Sequence, residues 1–258
     1  RGPLMGSLRQ FGGISGFPKR EESPHDSYDT GHASTAISAA LGLARARDLQ
    51  GGQEHVVAVV GDGALTGGLC YEALNDAGSS KTRLLVILND NQMSISPVTG
   101  ALGAHLTFLR TSKGWLGAKK AVGDLLLKLP LGGKWLHRLL YRFKNHIRNI
   151  FVRDGFFQSL GFRYLGPIDG HDEPGLERAL QRALRYREPV LLHVVTRKGK
   201  GYSPAEEDPS KAHGMPAFHP QDGSPKVKPV GRSFGAVAGQ LLCMLAEEDP
   251  SLVAVTAA

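Results

Sequence analysis

The sequence predicts an α/β fold built on a doubly wound parallel sheet. Three short aliphatic or β-branched runs, His55 to Val60, Leu84 to Leu88 and Val190 to Val195, have the continuous apolar texture of strands buried on both faces. Helix-forming segments alternate with them, as in βαβ units. Gly-rich or Asn/Asp-rich loops close the runs: Gly61 to Ala64, Asn89 to Met93 and Thr196 to Tyr202. In open parallel sheets ligands bind beyond the carboxyl ends of the strands, so these loops are the candidate site.

Taken in order, Arg1 to Tyr28 is rich in Gly, Pro and charge and shows no period. Ala33 to Arg47 is rich in Ala and Leu and predicts a helix ended by Gly51 and Gly52. The run from His55 to Val60 predicts a strand. Gly68 to Asp76 predicts a helix with Gly78 as its C-cap. Leu84 to Leu88 completes a βαβ unit, whose crossover is expected to be right-handed. From about 109 to 153, basic residues such as Lys119, Lys120, Arg142 and Lys144 interrupt apolar patches, and Pro130 and Gly132 break the helical period. This segment is expected to be a mobile, partly helical insertion. Phe156 to Leu160 then ends a helix, and Phe162 to Leu165 predicts a strand. Leu176 to Tyr186 predicts a helix, with Asp172 as an N-cap candidate. Val190 to Val195 is the last clear strand of this part. Residues 1–223 are expected to form one domain and 224–232 a Pro/Lys linker. Residues 233–258, a helix over Ser233 to Glu247 and a strand over Leu252 to Thr256, are expected to begin a second domain. The chain is accordingly expected to be cut at both ends.

Composition excludes several classes. The 258 residues are 41% hydrophobic and 21% charged, so the chain can bury a core. No apolar run reaches the ~18 residues of a membrane span, and no signal-peptide pattern is present. Two cysteines, Cys70 and Cys243, make neither a disulfide framework nor a zinc site, which fits a reducing compartment. The net charge of +7 suits an anionic small molecule. It also suits nucleic acid, but the basic segment lacks a recognisable module and regular aromatic stacking residues.

The strand-end residues suggest a chemistry. Asp62, between two glycines, offers a carboxylate where the backbone can approach an anion closely. Asn91, one βαβ unit later, offers an amide oxygen. Mg²⁺ takes near-octahedral oxygen and shares its shell with phosphate, so the two residues supply part of a shell that a phosphorylated ligand would complete. A Gly-Asp-Gly alone is also a common turn; the pairing with an Asn cluster at the next strand end is what resembles the thiamine diphosphate signature.

Further motifs occur in order: Gly31 to Thr35 (GHAST), Gly61 to Gly68 (GDGALTGG), Tyr71 to Asn75 (YEALN), Leu88 to Ser96 (LNDNQMSIS), Gly161 to Asp172 (GFRYLGPIDGHD) and Lys198 to Glu206 (KGKGYSPAE). Together they resemble the 1-deoxy-D-xylulose-5-phosphate synthase family over nearly the whole chain, from about Gly6 to Ala258. Transketolases share the Gly-Asp-Gly and Asn logic but not the last two blocks. The resemblance implies a thiamine diphosphate-binding fold and a transferase that condenses pyruvate with glyceraldehyde 3-phosphate, releasing CO₂, on thiamine diphosphate and Mg²⁺. It further implies a cytoplasmic homodimer that opens the non-mevalonate isoprenoid route and feeds thiamine and pyridoxal synthesis, with no membrane or nucleic-acid partner.

By match to the family motifs, Asp62, Asn91 and the carbonyl of Met93 would ligate Mg²⁺. Gly63 and Ala64 would line the diphosphate. Gly31, His32 and Ala33 would touch the cofactor, Tyr202 would close over it, and His213 would lie near the reacting centre. Taken alone, Tyr202 also reads as loop packing and His213 as an exposed residue of a Pro-rich stretch. Ala33 departs from a serine frequent in relatives, and Gln158 and Ser159 replace acidic residues common in the family. The family's upstream histidines, and the second-domain glutamate that protonates the aminopyrimidine, have no counterpart here. The chain alone is therefore expected to hold the diphosphate end of the cofactor without turning over. A non-catalytic thiamine diphosphate-Mg²⁺ binding remnant and another transketolase-like enzyme are the alternatives.

Overall fold

The structure is a computed structural model and describes residues 2–91, 93, 100–111, 155–226 and 231–255. The chain divides into two units, Arg1–Lys200 and Gly201–Ala258. The basic segment expected at 109–153 lies, beyond Thr111, outside the described residues.

The first unit is an α/β sandwich. In chain order the described elements are a 3-10 helix (Gly2–Ser7), in the stretch expected to have no period, then α1 (Ala36–Leu49), β1 (Val57–Gly61), α2 (Asp62–Leu65), α3 (Gly68–Ser80), β2 (Leu85–Asp90), α4 (Gly100–Thr111), α5 (Gly155–Ser159), β3 (Arg163–Asp169), α6 (Glu173–Ala183) and β4 (Val190–Val195). The four strands form one parallel sheet in the order β1-β2-β4-β3. β4 is inserted between β2 and β3, so the chain reverses its direction across the sheet there.

Alternation along the central strands feeds two cores. Val86, Leu88 and Leu191 pack with Ile37 and Leu41 of α1, Leu74 of α3, Leu106 of α4 and Phe157 of α5. Leu85, Val190, Leu192 and Val194 face the other way, against Leu176, Ala179 and Leu180 of α6. Helices thus cover both faces, as the uninterrupted apolar runs predict. β1 is an edge strand: Ala58 and Val60 are buried, whereas Val57 and Val59 are exposed.

Several elements differ from expectation, each for a local reason. α1 starts at Ala36 rather than Ala33, because Ser34 takes a left-handed φ of 68° that no helix accommodates. α3 does not end at Gly78; it runs to Ser80, and Lys81 makes the left-handed cap at φ 54°. Gly78 sits inside the helix because a Cβ there would lie 1.6 Å from the Leu160 carbonyl oxygen. β3 continues past Leu165 to Asp169 with an irregularity in its pairing between Leu165 and Ile168. α6 starts and ends three residues before the expected helix. The Asp172 carboxylate accepts from the Gly175 N–H at 3.1 Å, the N-cap predicted for it. α4 has no predicted counterpart. Leu102, Leu106 and Leu109 carry its helical spacing, and Gly100 and Gly103 mask it.

The second unit contains α7 (Ser203–Glu207), α8 (Pro209–Ala212), an antiparallel bridge between Phe218 and Pro225, and α9 (Phe234–Glu248). The Ser233 hydroxyl caps α9 by accepting from the Ala236 N–H at 3.1 Å. α9 buries no residue: Phe234 is 97% and Leu241 54% exposed. The strand expected at Leu252 to Thr256 is not formed over Leu252 to Val255, which join no ladder. An extended segment becomes a strand only where a neighbour takes its N–H and C=O groups. Among the described residues no helix is long and apolar enough to cross a membrane.

Candidate functional site

The parallel register sets the site. Gly61 at the end of β1 pairs with Asn89 of β2, and Asp90 pairs with Val195 of β4. Asp62, Asn91 and Thr196 therefore leave the sheet at one edge, the carboxyl ends of three adjacent strands. Asp62 begins α2 immediately after the extended Gly61. Its carboxylate is 1% exposed, and Oδ1 accepts from the Gly63 N–H at 2.9 Å. A carboxylate kept from water costs free energy unless hydrogen bonds or a cation offset it. Asn91 is half-buried, and its Oδ1 accepts from the Met93 N–H at 3.0 Å. An amide oxygen has a second lone pair to offer.

The loop from Gly31 to Thr35 is bolted to the Asp62 loop. The Ser34 hydroxyl donates to the Ala64 carbonyl at 2.7 Å. The buried Cys70 thiol lies 3.3 Å from both the Ala64 and the Ser34 carbonyls. Burial pushes the Cys70 thiol up from its ordinary range, so it remains a protonated donor. Gly67 leaves room for this contact, since a Cβ there would fall 2.3 Å from Ser34 Oγ. Gly31, His32 and Ala33 are exposed, while Gly63 and Ala64 are half-buried. Neither Ser34 nor Cys70 was predicted as a site residue. Ser34 carries no sequence signal, because a left-handed serine is stabilised by partners thirty or more positions away.

The structure thus gathers Gly31, His32, Ala33, Asp62, Gly63, Ala64, Asn91 and Met93 on the first unit. Tyr202 and His213 belong to the second unit. The Tyr202 hydroxyl is buried with no hydrogen-bond partner among the described residues, and its ring packs on Phe218 at 5.9 Å between centroids. His213 is exposed and follows α8, its N–H donating to the Ser210 carbonyl at 3.2 Å. His171, in the loop after β3, accepts at Nε2 from the Arg197 N–H at 2.9 Å and so ties that loop to the one after β4.

A polar chain runs just behind the edge. Asp90 and His193 are both 0% exposed, with Asp90 Oδ2 2.9 Å from His193 Nε2. His193 Nδ1 is 2.7 Å from the Tyr164 hydroxyl. The signal for it was a lone histidine in the otherwise aliphatic β4. Among the described residues, no group of three or more His, Cys, Asp or Glu is placed to hold a metal. A cation at this edge would have to draw on one carboxylate, amide and main-chain oxygens, and oxygens of its ligand.

A transketolase from Leishmania mexicana, 19% identical, aligns over 95% of this chain and 35% of its own at a TM-score of 0.50, a likeness of fold. The sequence is more specific. The family described as 1-deoxy-D-xylulose-5-phosphate synthase matches residues 1–196, and the chain belongs to that family. The synthase of Desulfitobacterium hafniense (strain DSM 10664 / DCB-2) is 46% identical over 252 residues, 98% of this chain and 40% of its own. That of Pelotomaculum thermopropionicum is 49% identical over 98% of this chain and 39% of its own. The chain spans about 40% of the length of the curated relatives it matches.

Proposed function

We propose that this chain is the cofactor-anchoring part of a 1-deoxy-D-xylulose-5-phosphate synthase, a cytoplasmic homodimeric transferase acting on pyruvate and glyceraldehyde 3-phosphate with thiamine diphosphate and Mg²⁺. The observation that carries the reading is the register that sets Asp62 and Asn91 at neighbouring strand ends in a chain of this family. Residues 1–223 are the anchoring domain, and α9 begins a second one, a division supported by a helix that buries nothing in this chain.

The residues present fit the groups. A carboxylate 1% exposed at a glycine-flanked strand end is suited to a hard divalent cation. The donors assigned to it, a carboxylate, an amide oxygen and a main-chain carbonyl, are all oxygen, which suits Mg²⁺ better than zinc. Asp62, Asn91 and the carbonyl of Met93 would hold the cation, whose remaining positions suit diphosphate oxygens and water. Gly63 and Ala64 would line the diphosphate, and the loop of Gly31, His32 and Ala33 would touch the cofactor. Tyr202 brings a buried hydroxyl that has no hydrogen-bond partner among the described residues, which supports its role toward the cofactor. His213, exposed after α8, is the candidate catalytic residue by its match to the family motif.

When bound, thiamine diphosphate supplies the carbanion stabilisation that decarboxylation of pyruvate needs. This chain's own residues bind and orient: Asp62 and Asn91 fix the charged end, and the Ser34 and Cys70 bonds to Ala64 keep the diphosphate loop from shifting. The chain alone is inactive in this reading.

A chimera tests the reaction. This chain replaces the aligned stretch of the Desulfitobacterium hafniense relative. The expected result is CO₂ release that requires both pyruvate and glyceraldehyde 3-phosphate. A folded chimera that accepts only ketose donors would favour a transketolase-like activity, and one that binds cofactor without turnover would favour a binding remnant.

A further inference from the structure

The chain of half-buried Tyr164 with buried His193 and Asp90 has no place in the proposed reaction, yet it ends one residue from a proposed cation ligand. We propose that it is a positioning device that presets Asn91 for the cation before the cation arrives; this rests on the reading of Asp62 and Asn91 given above.

The argument is geometric. The chain crosses three neighbouring strands, from Tyr164 on β3 through His193 on β4 to Asp90 on β2. Each ring nitrogen of His193 has one partner, Nε2 the Asp90 carboxylate at 2.9 Å and Nδ1 the Tyr164 hydroxyl at 2.7 Å, so the imidazole is held at both ends. Asp90 is held a second time, by its main chain: its carbonyl accepts from the Thr196 N–H at 3.0 Å. That carbonyl belongs to the peptide unit whose nitrogen is Asn91. The preceding Asn89 side chain accepts from the Thr196 hydroxyl at 2.7 Å. Asn91 therefore leaves the sheet from a peptide whose carbonyl is tied to Thr196, the residue that follows β4, while the Asp90 side chain of the same peptide is tied to His193 of β4. β3 is fitted to the same place. Gly166, in the irregular stretch of β3, approaches β4 so closely that a Cβ would lie 2.6 Å from the His193 carbonyl oxygen.

A purely structural role predicts only a change in stability. A positioning role predicts a change at Asn91 itself and in cation affinity, because groups that orient metal ligands typically contribute 10–100-fold to binding. Three variants separate the two: His193→Leu removes both ring nitrogens, His193→Gln retains an N–H donor for Asp90, and Tyr164→Phe removes only the terminal hydroxyl. Two readouts are taken on the full chain. The first is the ¹H–¹⁵N signals of the Asn91 main-chain and side-chain amides without cofactor. The second is the Mg²⁺ concentration that half-saturates thiamine diphosphate binding, with folding followed by circular dichroism.

The expected result for His193→Leu is displaced or broadened Asn91 amide signals and a half-saturating Mg²⁺ concentration raised about 10-fold or more. His193→Gln should return both readouts most of the way to wild type, and Tyr164→Phe should shift both in the same direction by less. Folded variants whose Asn91 signals and Mg²⁺ requirement match wild type overturn the proposal, even where their melting temperatures fall. Should His193→Leu fail to fold, Tyr164→Phe and His193→Gln decide by the same two readouts. A wild-type chain without Mg²⁺-dependent binding overturns the proposed function instead. The two failures are distinguishable because the Asn91 amide readout needs no cofactor.

Discussion

Asp62→Ala should abolish Mg²⁺-dependent thiamine diphosphate binding, weakening it about 100-fold or more, while leaving the fold intact. The carboxylate is the single charged ligand assigned to the cation, so its loss removes the dominant attraction as well as one coordination position. Stability should move little, because two effects oppose. The variant loses the bond from the Gly63 N–H, worth about 1 kcal/mol. It also removes a carboxylate that is 1% exposed, whose desolvation offsets a comparable amount. The ligand-dependent part is cleaner. A ligand at 100 times its Kd stabilises the folded state by about 2.7 kcal/mol. Wild type should therefore melt several degrees higher with thiamine diphosphate and Mg²⁺, and Asp62→Ala should not. A variant that keeps this increment would remove Asp62 from the cation site.

Gly78→Ala should destabilise the chain by about 3 kcal/mol, against the sign that helix propensity alone predicts. In a helix interior alanine is favoured over glycine by about 1 kcal/mol, and Gly78 lies inside α3. But an added Cβ would fall 1.6 Å from the Leu160 carbonyl oxygen, and the turn there is held by Gly161 at φ 90°. Both partners are backbone, so neither can rotate away; α3 and the turn between α5 and β3 must separate. That separation opens contacts around Phe157 and Phe162 on the larger core face. Forced overpacking of this kind costs about 1–3 kcal/mol, sometimes more. Urea unfolding reads the result: a lower midpoint is expected, and a midpoint raised by the substitution would show that the backbone approach is not tight.

Much of the site was legible because its signals are local. Val190 to Val195 announces a buried strand by composition, and the structure has that strand with those bounds. Asp172 announces the start of α6 because a cap acts within three residues. Asp62 and Asn91 were legible as candidates because each closes an apolar run, and parallel pairing then brings the ends of such runs to one edge.

What was not legible depends on partners far along the chain. Gly78 looks like a helix terminator until Leu160 is brought against it. Ser34 looks like the first turn of a helix until its hydroxyl meets Ala64. His193 is one polar letter in an aliphatic strand, and Asp90, its partner, lies 103 positions earlier. Leu252 to Val255 shows the opposite failure: the residues have strand character, but nothing in the described chain pairs with them.

The central claim is that this chain carries an anchor for a Mg²⁺-diphosphate cofactor at the carboxyl edge of its sheet. The most direct test is a calorimetric titration of the wild-type chain with thiamine diphosphate, once with Mg²⁺ and once with the cation chelated. The account predicts saturable binding at one site per chain with Mg²⁺ and none without it. A folded chain that binds in neither case, or equally in both, would contradict it.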